Sequence, residues 1–218
     1  MARTLFVVSA NLPDGPVHDP TGPLKDYVAL ARRLGAEVLD WSRVRREPGA
    51  RPLERTLGLA AAQAWVAYNR RDRYDVILTD GEHVGIPLAL LLKRAGARIP
   101  HVTIGHRLSS KKKRPFFRLL GVQSHIARVI LHSRLQYGIA IDRLGFGRDH
   151  LSLVPYQVDA SFWHPVATPE ERLISSAGLE YRDYPTLFKA VEGLDAHVVI
   201  GAASHWSRRR NTALSTTR

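Results

Sequence analysis

Six short blocks of branched and apolar residues, separated by segments with helical spacing, constrain this chain more than any other feature. The blocks are Thr4–Ser9, Glu37–Trp41, Asp75–Thr79, His101–Gly105, Arg128–His132 and Leu151–Pro155. In several of them apolar residues fall on consecutive positions, as in strands covered on both faces. Between them, Leu24, Val28, Leu30, Ala31 and Leu34 form one apolar helical stripe, which Gly35 then stops. Leu53, Leu57, Ala60, Ala61, Ala64 and Tyr68 form a second. Val84 to Leu92 is nearly all apolar and reads as a helix packed deep against a sheet. Such alternation predicts an α/β fold, a Rossmann-like parallel sheet with helices on both faces.

The pattern pauses over residues 158–169 and restarts as a second β-α-β unit: Leu173–Ala177, Tyr184–Leu194 and Ala196–Ala202. This divides the chain into a first domain over 1–165, the opening of a second over 170–203, and a tail over 204–218. The tail is rich in Arg, Ser and Thr and has the composition of disorder. Two strands and one helix cannot cover their own apolar faces. The second domain is therefore expected to be incomplete.

Cysteine is absent, which excludes disulfides, a thiolate metal site and a cysteine nucleophile. The N-terminal apolar run is too short for a signal peptide, and no segment reaches spanning length without a charge. The expected location is the cytoplasm, with any membrane contact peripheral at the inner face. The net charge is +12, and no acidic residue lies between Glu82 and Asp142. A field of that sign attracts phosphates, whether on a nucleotide, a lipid surface or a nucleic acid. A solubilising surface accounts equally well for the total charge.

In an open α/β sheet, ligands lie beyond the carboxyl ends of the strands. Behind the first block comes a long Gly- and Pro-rich loop containing Thr21 and Gly22; it is not a G-x-G-x-x-G fingerprint, so no nicotinamide cofactor is indicated. Behind the third comes Thr79-Asp-Gly-Glu-His83. Its carboxylates and imidazole suit sugar positioning or proton transfer, or else Asp80 simply caps the next helix; that capping role is preferred for Asp80, and Glu82 is left open. Behind the fourth come His106 and Arg107; a lone histidine is commonly just a satisfied polar residue, but at a strand's carboxyl end beside Arg107 it also suits a substrate role. Lys111, Lys112, Lys113 and Arg114 then meet Phe116 and Phe117. That composition suits an anionic membrane surface, a nucleic acid, or a basic loop leading into a buried helix. No nucleic-acid motif accompanies the charge, so nucleic acid ranks last as a partner.

Three segments carry a resemblance: Val129-Ile-Leu-His-Ser133 with Leu144-Gly-Phe-Gly147, Leu153-Val-Pro-Tyr-Gln-Val-Asp-Ala-Ser-Phe-Trp-His-Pro165, and Ile174 to Val191. In order and character they resemble family 4 glycosyltransferases, which have the two-domain GT-B fold. The resemblance covers the chain to about Ser207. It implies transfer of a sugar from a nucleoside-diphosphate sugar, usually with retention, without metal or other cofactor. It also implies the acceptor on the first domain and the donor mainly on the second. By the resemblance, His106 matches the histidine that contacts the donor sugar and is the catalytic candidate. Thr21 and Gly22 fall in the family's glycine-rich loop, and Arg182 falls where a cation neutralises the donor diphosphate. The chain departs from the family in having Leu179, not arginine, after Gly178. Its paired donor-binding glutamates would lie beyond Ser207, where nothing here can supply them. We therefore expect a glycosyltransferase chain ended early, by a frameshift or a fragmentary gene, and impaired in turnover. The alternative is a non-catalytic acceptor- or phosphate-binding domain that works with a separate partner chain.

Overall fold

The computed structural model describes residues 2–12, 15, 17–167, 171–178 and 182–201. The stretch read as a tail and the Leu179 departure lie outside these residues. The chain divides into two compact units, 1–164 and 165–218.

The first unit is built on a six-stranded sheet in which every pair is parallel. Its strands are β1 (Thr4–Val7), β2 (Glu37–Leu39), β3 (Val76–Thr79), β4 (His101–Gly105), β5 (Arg128–Leu131) and β6 (Leu151–Leu153). They lie in the order β2-β1-β3-β4-β5-β6. The order reverses between β1 and β3, so the crevice of this doubly wound, Rossmann-like sheet opens at their carboxyl ends.

Consecutive apolar residues in β1 serve opposite faces, as the period of a strand requires. Leu5 and Val7, with Leu39 of β2 and Ile77 of β3, pack against helices α4 (Leu59–Arg70) and α5 (Glu82–Arg94). Phe6 and Val8, with Val38 and Leu78, pack against Ala31 of helix α1 (Asp26–Leu34). A third cluster joins Val129, Leu131 and Leu151 to Ala140 and Leu144 of helix α7 (Arg134–Leu144). Helices therefore cover both faces, as the alternation predicts, with the short helices α2 (Trp41–Val44) and α6 (Arg114–Arg118) between the longer ones in the chain.

The single helix expected over Leu53 to Tyr68 is two. Helix α3 (Ala50–Leu57) and α4 meet at Gly58, which sits at φ 87° and ψ 164°. A side chain rarely adopts that backbone, so glycine here makes a break, not a continuation. Gln63 of α4 shows why the break is useful: fully buried, its Nε2 donates to the carbonyls of Val8 (2.9 Å) and Leu39 (3.0 Å) at the carboxyl ends of β1 and β2.

α5 crosses the sheet closely. A Cβ on Gly85 would stand 2.4 Å from Thr103 Oγ1 and 3.0 Å from Thr79 Oγ1. Below it, Thr79 Oγ1 donates to Thr103 Oγ1 at 2.8 Å and meets the fully buried His101 ring at 3.2 Å. This polar seam lies directly behind the strand ends that carry the candidate site.

In the second unit, β7 (Leu173–Ala177) and β8 (His197–Gly201) pair in parallel with helix α8 (Tyr184–Val191) between them. Asp183 caps α8 by accepting the Thr186 N–H at 3.2 Å. Leu173, Phe188 and Val199 are exposed.

Candidate functional site at the carboxyl edge of the sheet

Each strand of the first unit from β3 to β6 delivers a polar or aromatic side chain at its carboxyl end, and β1 adds a serine. The result is a row along one edge: Ser9 after β1, then Asp80, Glu82 and His83 after β3, His106 and Arg107 after β4, His132 after β5 and Tyr156 beyond β6.

Asp80 does not cap α5. The cap position belongs to Gly81, and the Asp80 carboxylate turns across the switch point to Ser9. It accepts the Ser9 N–H at 2.5 Å and the Ser9 hydroxyl at 2.8 Å. Burial pushes the Asp80 carboxyl up, against the pull of these two donors and of His83. With Asp80 ionised, the Ser9 hydroxyl is spent as a donor, so it accepts the Nε2–H of His83 at 2.6 Å. Serine, histidine and aspartate are thus joined, but the carboxylate holds the serine instead of the imidazole. A nucleophilic serine needs the opposite arrangement, so this is a positioning set and not a hydrolytic triad. Desolvation lowers the His83 pKa, against the carboxylates of Asp80 and Glu82, which raise it. Glycine at 81 leaves room for that ring, since a Cβ there would stand 2.5 Å from His83 Nδ1 and displace it.

Glu82 is buried and fully engaged. Oε2 accepts the His106 N–H at 2.8 Å, and Oε1 accepts the Arg107 N–H at 2.9 Å and the Lys113 ammonium at 2.5 Å. Burial alone would push this carboxyl up; Lys113 and the His106 N–H outweigh it and hold it below its ordinary value. Glu82 therefore shapes the turn that carries His106 and Arg107, and Lys113 closes the same knot through a bond to the Arg107 carbonyl (3.1 Å).

The His106 ring is fixed as well. Its Nε2 lies 2.9 Å from the Asp80 carbonyl, which can only accept, so Nε2 carries a hydrogen, and in the neutral ring Nδ1 is left as an acceptor. Arg107 is exposed beside it.

The other sequence candidates are placed as follows. Thr21 closes a local turn, its N–H and hydroxyl both given to Asp19 Oδ1 at 2.9 and 2.6 Å. Gly22 has open space around a built Cβ, so nothing requires glycine there for close approach. The loop is tied down further on, where the Leu24 N–H donates to Asp159 at 2.8 Å. Arg182 belongs to the second unit, where its guanidinium lies 3.3 Å from a Cβ built on Gly178. In the basic segment, Lys111 and Lys112 are exposed, Arg114 and Phe116 are half-buried, and Leu119 is 81% exposed. Phe117 belongs to the core: it is 1% exposed and meets Phe146 at 5.5 Å between ring centroids, so this ring is not available to a lipid surface.

Three members of the row, Ser9, His132 and Tyr156, were not singled out in the sequence. His132 was findable, since it ends the fifth block as His106 follows the fourth. Ser9 ends the first block and Tyr156 follows the sixth in the same way, so position marks all three, and the sheet order sets them in one row.

Among the described residues no group of three or more His, Asp and Glu side chains is placed to hold a metal ion. None of the described helices is long and apolar enough to cross a membrane. The fold and the edge row together define a doubly wound α/β protein with a candidate site along the carboxyl edge of its sheet. No protein-family model matches the chain, and no curated protein matches it in sequence.

Proposed function

We propose that the chain is a glycosyltransferase polypeptide of the GT-B kind, its first unit the acceptor-side half, acting on a nucleoside-diphosphate sugar. The observation that carries this reading is His106, held at the carboxyl end of β4 by two independent restraints in the crevice of the sheet. Its backbone is fixed by Glu82 and its ring by the Asp80 carbonyl. An imidazole so fixed presents Nδ1 as an acceptor for a sugar hydroxyl, which is a positioning role in transfer. Charge developing on the departing diphosphate would be met by a cation, and Arg107 is the exposed candidate in this unit. The parallel β7-α8-β8 unit supports the reading as a second domain of the same architecture. Lys111, Lys112 and Leu119 are the residues for a peripheral contact with anionic lipid, which would bring the enzyme to a membrane-borne acceptor.

The test is equilibrium binding of UDP- and GDP-sugars to the purified chain, alongside the His106→Ala variant. The reading expects saturable binding that His106→Ala weakens roughly tenfold, the loss of one positioned hydrogen bond to a polar ligand. Binding of free phosphate or an acceptor sugar, without any sugar nucleotide, would replace it with the non-catalytic binding domain.

A further inference from the structure

The carboxyl edge holds one feature that a donor-sugar contact at His106 does not use. The rings of His132 and Tyr156 stack at 4.5 Å between centroids, inclined by 28°. Tyr156 is nonetheless 72% exposed, so one face of its ring is covered by the imidazole and the other is open. His106 stands next in the row, its ring centroid 6.0 Å from that of His132.

One hydrogen bond orients the imidazole of the pair. His132 Nδ1 lies 2.8 Å from the Val154 carbonyl, an acceptor only, so Nδ1 carries the hydrogen. In the neutral ring Nε2 is then an acceptor, and it has no protein partner among the described residues. The same logic leaves Nδ1 of His106 as an acceptor. The edge therefore offers an open aromatic face, a phenolic hydroxyl, and two imidazole nitrogens that accept hydrogen bonds.

We infer that His132 and Tyr156 form a carbohydrate platform, a subsite for a pyranose ring next to His106. The match is chemical. The C–H groups of a pyranose face are weakly positive and rest on the negative face of an aromatic ring. The ring's hydroxyls are donors that need acceptors at the platform's rim, as a few placed polar groups in an apolar site orient a ligand. A nucleobase would use the same open face but brings mostly acceptor atoms and one or two donors, a poorer match to a rim of acceptors. This inference rests on the glycosyltransferase reading for its biological sense, but its physical content stands on the pair alone.

The experiment is a titration of the full chain, with histidine and tyrosine ring carbons labelled, followed by two-dimensional NMR. The probes are maltose and methyl α-mannopyranoside, with sorbitol and uridine as controls. We expect saturable shifts of the His132 and Tyr156 ring signals with a pyranoside. Tyr156→Ala should weaken that binding about tenfold, while Tyr156→Phe, which keeps the ring face, should stay within about threefold of the parent chain. Tyr156 is exposed, so both variants should fold, and an unchanged melting curve checks this. Three results would overturn the platform: no saturable shift with either pyranoside, equal binding by Tyr156→Ala, or uridine or sorbitol binding as well as the sugars. Pyranoside binding without sugar-nucleotide binding would leave the platform standing and remove the glycosyltransferase reading; the converse would do the reverse.

Discussion

At His101 the imidazole has given up all contact with water, and desolvation pushes its pKa from the ordinary 6.5 down to about 4. The folded protein keeps this ring neutral while the unfolded chain takes up a proton below pH 6.5. Between those two values the unfolded state binds more protons, so stability falls as the pH falls and is complete only above 6.5. From about pH 7.5 to about pH 5 the contribution lost is about 2 kcal/mol. We expect His101→Gln, which keeps a polar group against Thr79, to lack this part of the acid sensitivity. Urea unfolding at the two pH values measures it; equal slopes in parent and variant would show that His101 does not titrate as described. In the sequence His101 is one more residue of a strand block. Its burial is decided by α5, which Gly85 allows to lie directly over Thr79 and Thr103.

Asp80 precedes α5 and Glu82 opens it, and tertiary structure gives the two carboxylates opposite roles. A carboxylate before a helix is ordinarily a cap, and the sequence offers no reason for Asp80 to be otherwise. What overrides local preference is the neighbouring strand: β1 pairs with β3 and ends beside it, bringing the Ser9 N–H and hydroxyl within reach. Glu82, in the first turn of the helix, reaches the opposite way and holds the turn after β4. Replacing Glu82 by Gln removes the charge that satisfies Lys113 and weakens two backbone bonds. We expect a loss of about 1–3 kcal/mol of stability, with faster hydrogen exchange at the His106 and Arg107 amides. The folded carboxyl titrates below its ordinary value of 4.5, so the contribution is present above that pH and fades as the pH falls through the folded value. Unchanged exchange at both amides in Glu82→Gln would refute the anchoring role. The helix break at Gly58 is a similar case. The apolar stripe runs through it, and only the conformation at that glycine separates the two helices.

Over the whole molecule, a net charge of +12 is unevenly spread, and the structure divides the basic segment by use. Lys113 is tied to Glu82 and Arg118 donates to the Arg143 carbonyl, whereas Lys111, Lys112 and Leu119 are exposed. If the proposed lipid contact is made there, binding to vesicles containing phosphatidylserine should fall steeply with salt. It should drop by roughly one to two orders of magnitude when Lys111 and Lys112 are both changed to Glu, at about 1 kcal/mol for each cation lost. Cosedimentation measures this, with neutral phosphatidylcholine vesicles as the control; equal binding to both vesicle types would rule the contact out.

The sequence by itself determined the architecture: consecutive apolar positions in short blocks require strands buried on both faces, and helical stripes between them supply the cover. It also placed His106, Arg107 and Glu82 at strand ends, because a ligand in such a sheet lies there whatever its chemistry. Only the tertiary structure decided which strands are neighbours, and with that which side chains meet. Ser9 reaches Asp80 across 71 positions of chain, and Glu82 reaches the turn after β4 across 24 and 25. His132 finds Tyr156 where β5 and β6 end side by side. Such contacts depend on strand order and on one-residue differences in where each strand stops, and neither is written in the local pattern of the chain.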